Sequence, residues 1–168
     1  MSVRIGINPI TWTNDDLPEL GGDTPLDVCL AEAKQAGYSG IEMGGKFPRQ
    51  SAVLKPIMAK HGLDLVSGWY DGRIRDFEVE KEFDTVLPHL QLLKDMGCKY
   101  VVYADTSGGT HGSLTAPIST RPKLADGDWK TYGKKTTALA ERMADFGVRM
   151  AFHHHMGTIV ESDEEVGK

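Results

Sequence analysis

The chain has 168 residues, enough for one domain with a buried core, and its 40% hydrophobic and 26% charged content is ordinary for a soluble globular protein. A formal net charge of -5 without a basic stripe argues against nucleic acid as a partner. No apolar run approaches the roughly 18 residues of a membrane-spanning helix. Residues 1–4 lack the apolar segment of a signal peptide, so we expect a cytoplasmic protein with no membrane partner.

Alternating apolar residues and β-branched runs predict five strands, at residues 3–8, 40–44, 63–69, 99–104 and 149–153. Helical spacing predicts four helices between them, at about 24–36, 51–61, 77–96 and 128–146. The first helix is expected to have Thr24 as its N-cap and Pro25 as its first residue, and Pro88 is expected to kink the third. Cys29 and Cys98 lack a C-x-x-C spacing and are expected to be buried and unpaired.

Strands that alternate with helices predict a parallel α/β sheet with right-handed crossovers. All strand-to-helix loops then lie at the carboxyl edge of the strands, where active sites are built. The longest loop, 105–127, has the length of a lid or of a disordered segment. A capping-box pattern from Ser162 to Glu165 predicts the start of a fifth helix. A complete barrel of eight βα units needs about 250 residues, so we expect a half barrel: four βα units plus strand five.

Three adjacent histidines follow the fifth predicted strand. Since side chains alternate along a strand, His153 and His155 share one face and His154 takes the other. Two imidazoles that point the same way are candidates for metal ligands or acid/base groups. A tag remnant or a solvated loop is the alternative.

Several motifs resemble one known family. Residues 6–16 (GINPITWTNDD), 40–48 (GIEMGGKFP), 66–70 (VSGWY) and 152–158 (FHHHMGT) are similar, in this order, to the inosose dehydratases of bacterial inositol catabolism. The resemblance implies a xylose-isomerase-like TIM barrel that removes water from the cyclitol ketone 2-keto-myo-inositol, giving a trihydroxycyclohexanedione. It also implies a divalent cation, Mn²⁺ or Co²⁺, and an association with glutathione.

Relatives with this fold bind their metal through residues at the ends of strands five to eight. The strand-five position falls on His153, where those relatives have Glu, and the choice between His153 and His155 stays open. The resemblance and the residue types together suggest acid/base or electrostatic roles for His155, Glu42 and Lys46. Substrate contacts are expected at the predicted strand ends or just beyond them, from Asn8, Trp12, Trp69 and Tyr70.

Each candidate has an alternative role. Glu42 could be a structural ion-pair partner, Lys46 a solvated loop residue, and the aromatic residues plain packing beneath the loops. The alternative functions are a metal-dependent sugar isomerase or epimerase of the same superfamily, and a non-catalytic half barrel. We expect a homo-oligomer or a pairing with a missing C-terminal half, because strands one and five would otherwise have free edges. The 168 residues alone are expected to show little dehydratase activity.

Overall fold

A computed structural model describes residues 3–168 of the chain; the expectation for residues 1–4 therefore falls partly outside the described residues. Five parallel strands form one sheet in the order β1-β2-β3-β4-β5. This confirms the predicted parallel α/β architecture of a half barrel. The strands are β1 (Gly6–Ile7), β2 (Gly40–Met43), β3 (Asp64–Gly72), β4 (Tyr100–Asp105) and β5 (Arg149–Phe152).

Helices connect the strands, as the sequence pattern predicted. They are α1 (Leu26–Gln35), α2 (Ser51–His61), α3 (Val79–Asp95), α4 (Trp129–Phe146) and the short α5 (Asp163–Val166), with 3-10 turns at Pro9–Thr11 and Ile118–Thr120. Among residues 3–168, no helix combines the length and the apolar character needed to cross a membrane.

The ends of the helices show how local chemistry sets the connections. Gly62 and Gly147 close α2 and α4 with φ of 61° and 107°, a left-handed conformation that favours glycine. The predicted capping box of α5 is present, with Ser162 and Glu165 each bonding the other's backbone N–H. The predicted start of α1 was wrong by one residue. Pro25 has ψ of 147°, which keeps it outside the helix as its N-cap, and no side chain caps this end.

Strand lengths also differ from the sequence pattern. The first strand is only two residues long, and it ends where Pro9 begins a 3-10 turn capped by the side chain of Asn8. The third extends three residues past its predicted end, to Gly72. Gly72 passes so close to the Tyr103 ring that a Cβ would lie 1.9 Å from the ring carbon Cζ.

The hydrophobic core lies between the sheet and its helices. Along β3, Leu65 is 5% exposed and its neighbour Val66 is 41% exposed, as expected for a sheet covered by helices on one face. Fully buried side chains from the strands and helices complete this layer, among them Leu30, Ile41, Leu54, Leu90, Tyr103, Leu139 and Met143. Cys29 and Cys98 are buried and free, as predicted. Because all five strands are parallel, the loops that follow them gather at one edge.

Candidate active site at the carboxyl edge of the sheet

A cavity of about 380 Å³ opens at this edge, between the strand ends and the loops that follow them. Polar and aromatic side chains that lie in or follow β1, β2, β3 and β5 form its walls. They include Asn8, Asp16, Glu42, Trp69, His153 and His155. Residues far apart in the chain thus meet at the edge that the loop lengths indicated.

Glu42 is held in place at the end of β2 by two neutral donors. Asn8 donates from Nδ2 to Oε1 of Glu42 over 2.5 Å, and the Ser67 hydroxyl donates to Oε2. Asn8 is itself oriented, because its Oδ1 accepts the backbone N–H of Ile10. Both oxygens therefore bind neutral groups beside the cavity. None of the ion pairs of the described residues involves Glu42, so the alternative of a structural ion-pair partner has no support.

The histidine run alternates as its strand position predicted. His153 and His155 line the cavity, whereas His154 lines a separate groove beside α4. The backbone N–H of His153 donates to the backbone carbonyl of Tyr103 over 2.8 Å, which continues the pairing of β5 with β4 by one residue. Partial burial lowers the pKa of His153, and the neighbouring imidazoles of His155 and His154 lower it further. The ring of His153 is therefore predominantly neutral near pH 7 and able to accept a proton or a hydrogen bond.

Trp69 forms an aromatic wall next to these histidines. Its ring centroid lies 5.3 Å from that of His153 and 5.1 Å from that of His155. Its indole N–H is already donated to Asp71 over 2.9 Å. Trp69 therefore offers an apolar ring surface at the cavity, while its N–H is already bound to Asp71.

Two of the predicted aromatic contacts are absent from the cavity wall. Tyr70 follows Trp69 in the same strand and points to the opposite side, where its ring packs on His89 and Tyr103. Burial raises the pKa of its hydroxyl to about 12. Trp12 donates its N–H to Glu32 of α1 over 2.6 Å. Neither residue lines this cavity, and their contacts with a substrate stay a prediction.

Lys46 is also not on the wall that carries His155. Its amine donates to the backbone carbonyls of Gly22 and Thr24, the latter over 2.6 Å, and so ties the loop after β2 to the loop after β1. It is half-buried and lines a neighbouring cavity of about 500 Å³. The Lys46 amine is therefore neither beside His155 nor freely solvated, because two backbone carbonyls accept its hydrogen bonds.

Sequence reasoning missed the acidic residues that follow β1. Asp15 accepts the backbone N–H of Gly45 over 2.6 Å and joins two loops, and Asp16 lines the cavity beside His155. His111, from the long loop after β4, packs its ring on that of His155 with 5.2 Å between centroids. Two consecutive aspartates in a loop at the carboxyl edge of the sheet could have indicated a site residue. The position of His111 inside a long loop gave none.

The described residues do not fit a complete metal site. Within residues 3–168, no group of three His, Cys, Asp or Glu side chains is close enough to hold an ion. His153 and His155, which line the cavity, are the candidates for a single ligand from this part of the fold. The donor set is therefore incomplete in this part of the fold.

Comparisons of the sequence with known proteins agree with this architecture. A family model described as xylose isomerase-like TIM barrel matches residues 30–166. The chain is 62% identical over 168 residues to a rhizopine catabolism protein, MocC, of Rhizobium meliloti, covering all of this chain and 52% of that protein. It is 35% identical to an inosose dehydratase of Glaesserella parasuis, covering 99% of this chain and 56% of the relative. The chain thus spans about half the length of the curated relatives it matches.

Solved structures match at the level of the fold. A xylose isomerase-like TIM barrel protein from Mycobacterium smegmatis, solved in complex with magnesium, superposes with a TM-score of 0.64 at 15% identity, over 98% of this chain and 59% of that one. A probable 3-DHS dehydratase, AsbF, from Bacillus anthracis gives a TM-score of 0.63 at 10% identity, over 98% and 57% of the two chains.

Proposed function

The chain belongs to the xylose isomerase-like TIM barrel family, and from this premise we propose that residues 1–168 are the first half of a single barrel domain with hydro-lyase activity. The proposed reaction removes water from 2-keto-myo-inositol and gives a trihydroxycyclohexanedione. The observation that carries the proposal is the cavity in which Glu42, Trp69 and His155 meet at the carboxyl edge of the sheet. Relatives named inosose dehydratase, 32–35% identical to this chain, support the choice of substrate.

The residue types suit the chemistry. Loss of water beside a ketone requires removal of an α proton and protonation of the departing hydroxyl. His155 is placed to move these protons, because its Nδ1 contacts the Met156 carbonyl and its Nε2 is left for the cavity. Glu42, oriented by Asn8, accepts hydrogen bonds from substrate hydroxyls through the remaining lone pairs of its carboxylate oxygens. The face of Trp69 packs on the C–H face of the ring.

A divalent cation, Mn²⁺ or Co²⁺, is part of the proposal for the whole protein. When bound, such an ion acts as a Lewis acid and stabilises an enolate. His153 would contribute one ligand from this half of the barrel, with His155 as the alternative. Because the described donor set is incomplete, no step above depends on the ion. Glutathione is proposed as a compound associated with the activity, and no residue is assigned to it.

The test is a product assay on the whole protein, since little activity is expected of the 168 residues alone. With and without added Mn²⁺, 2-keto-myo-inositol is followed by mass spectrometry for loss of water. A His155→Gln variant is expected to lower kcat by about 10²-fold or more, the typical contribution of a positioned acid/base group. His154→Gln is the matched control, since His154 lies on the other side of the strand. A His155→Gln variant as active as wild type would contradict the assignment.

A second candidate function has the same proton transfer but a different product. A relative named for rhizopine catabolism is 62% identical, against 35% for the inosose dehydratase of Glaesserella parasuis, and this makes a substrate related to 2-keto-myo-inositol the second candidate. On such a substrate, isomerisation or epimerisation would follow the same removal of an α proton. Product mass separates the two candidates: loss of water supports the lyase, and an unchanged mass supports the isomerase or epimerase.

A non-catalytic, self-associating half barrel is the remaining alternative. β1 and β5 lie at the two ends of the sheet, and unpaired strand edges favour association with another chain. We propose that this 18.4 kDa polypeptide forms a homo-oligomer or pairs with a C-terminal half. Light scattering after size exclusion measures the mass directly. A single species at 18.4 kDa over a range of concentrations would contradict self-association.

A further inference from the structure

Three loops meet at one carboxylate on the cavity wall. Asp16, after β1, has Oδ2 3.6 Å from Nε2 of His155, after β5. Its other oxygen, Oδ1, lies 3.9 Å from Nε2 of His111, after β4. The side chains of Asp16 and His155 are 28% and 18% exposed, and both line the cavity. The Asp16–His155 pair is therefore accessible to a ligand bound there.

The tautomer of His155 follows from its backbone contact. Its Nδ1 lies 2.9 Å from the carbonyl oxygen of Met156. A carbonyl oxygen only accepts, so in the neutral ring the proton is on Nδ1 and the lone pair is on Nε2. In that neutral form Nε2 and the Asp16 carboxylate, 3.6 Å apart, face each other as two acceptors, and neither can donate to the other. Both need hydrogen-bond donors from a third group.

We infer that Asp16 and His155 form a two-acceptor subsite for adjacent hydroxyl groups of a polyhydroxylated ring. One hydroxyl donates to Nε2 of His155 and its neighbour donates to the carboxylate of Asp16. A single hydroxyl carries one hydrogen and cannot donate fully to both acceptors, so the pair selects for neighbouring hydroxyls. The inference rests on the proposed function in one respect, namely that the ligand is a cyclitol.

The loop after β4 packs behind this subsite. The ring of His111 stands nearly perpendicular to that of His155, at 76°. The backbone N–H of Thr110 donates to the Gly157 carbonyl over 2.9 Å. A Cβ at Gly157 would lie 2.8 Å from the backbone nitrogen of His111, so the two loops are in close contact. This contact limits the movement of the segment that carries His155.

The experiment uses the full chain, labelled with ¹⁵N at histidine, and myo-inositol as the probe. We expect myo-inositol to shift the Nε2 resonance of His155 at lower concentration than cyclohexanol, whose single hydroxyl can donate to only one of the two acceptors. Asp16→Ala is expected to raise the dissociation constant for myo-inositol about tenfold or more, since a hydrogen bond to a charged group is lost. Asp84→Ala, which removes an exposed carboxylate on α3, is the matched control and should bind like wild type.

Each outcome decides the question. Binding that Asp16→Ala leaves unaltered, or the absence of any shift at His155, overturns the subsite. Turnover of 2-keto-myo-inositol without a shift at His155 would overturn the subsite alone and leave the proposed function standing. A shift at His155 together with no turnover of any cyclitol ketone would overturn the proposed function and leave the subsite standing. If Asp16→Ala fails to fold, Asp16→Asn keeps one carbonyl acceptor and should lose part of the affinity.

Discussion

Arg121 joins the long loop after β4 to the segment after β5, and its removal should destabilise the protein measurably. Its side chain is 9% exposed. One guanidinium nitrogen donates to the Thr158 carbonyl over 2.9 Å and the other donates to Glu165 over 2.7 Å. Glu161 lies 3.4 Å away from Nε. Arg121→Ala would leave two carboxylates without their cation and a buried carbonyl without its donor.

The size of the effect follows from the burial of these groups. Removing one partner of a buried ion pair costs about 3–5 kcal/mol. Because Glu165 is 11% and Glu161 29% exposed, water reaches this cluster in part, and we expect the lower value, about 3 kcal/mol. For a chain of this size that corresponds to a fall in Tm of about 6–12 °C.

Thermal unfolding followed by circular dichroism measures this change. Arg4→Ala is the control, because Arg4 and its partner Asp64 are each 63% exposed, and exposed pairs contribute below about 1 kcal/mol. Limited proteolysis should also cut the loop of residues 106–128 faster in Arg121→Ala. Equal losses of Tm in the two variants would refute the argument that burial of the Arg121 cluster decides its contribution.

Three further predictions concern stability and loop order. Gly72→Ala should cost about 1–3 kcal/mol by urea unfolding, because its Cβ would overlap the buried Tyr103 ring, whereas Gly133→Ala, with open space around it in α4, should stabilise by up to about 1 kcal/mol. Equal effects would contradict the steric argument. Burial raises the pKa of Glu165, but hydrogen bonds from Arg121, Ser162 and Glu161 outweigh it and lower the pKa to about 2. The extra stability of wild type over Glu165→Gln should therefore be full above pH 4.5 and disappear as the pH falls towards 2; a pH-independent difference would contradict this. Lys46→Met should increase cleavage in the loop after β1, and unchanged cleavage would show that the amine does not hold it.

Repeating local patterns made most of the fold predictable. The strands and helices were recognisable because apolar residues recur at two and at 3.6 residues, and glycines mark the helix ends. The opposite directions of His153 and His154 followed from the same period of two. The same period predicts where Tyr70 points. Because it is the neighbour of Trp69 in one strand, its side chain cannot face the same cavity.

The residues that were misplaced or missed lie in loops or have long side chains. Trp12 and Lys46 bind partners that are 20 to 24 residues away in the chain, in directions that no periodicity encodes. His111 reaches His155 only because the long loop folds back across the strand ends. Asp16 was visible as an acidic loop residue, but its distance from two imidazoles was not.

The sequence by itself determined the parallel α/β order, the helix ends and the edge of the sheet that carries the polar residues, because each depends on nearest-neighbour backbone preferences and on one repeating period. Only the tertiary structure decided which polar side chains share a cavity. Hydrogen bonds and ring contacts between separate loops depend on distances in space, and those distances are set by the packing of the sheet and its helices. For this protein, that difference separates a row of histidines after a strand from an arrangement in which Asp16, His111 and His155 meet.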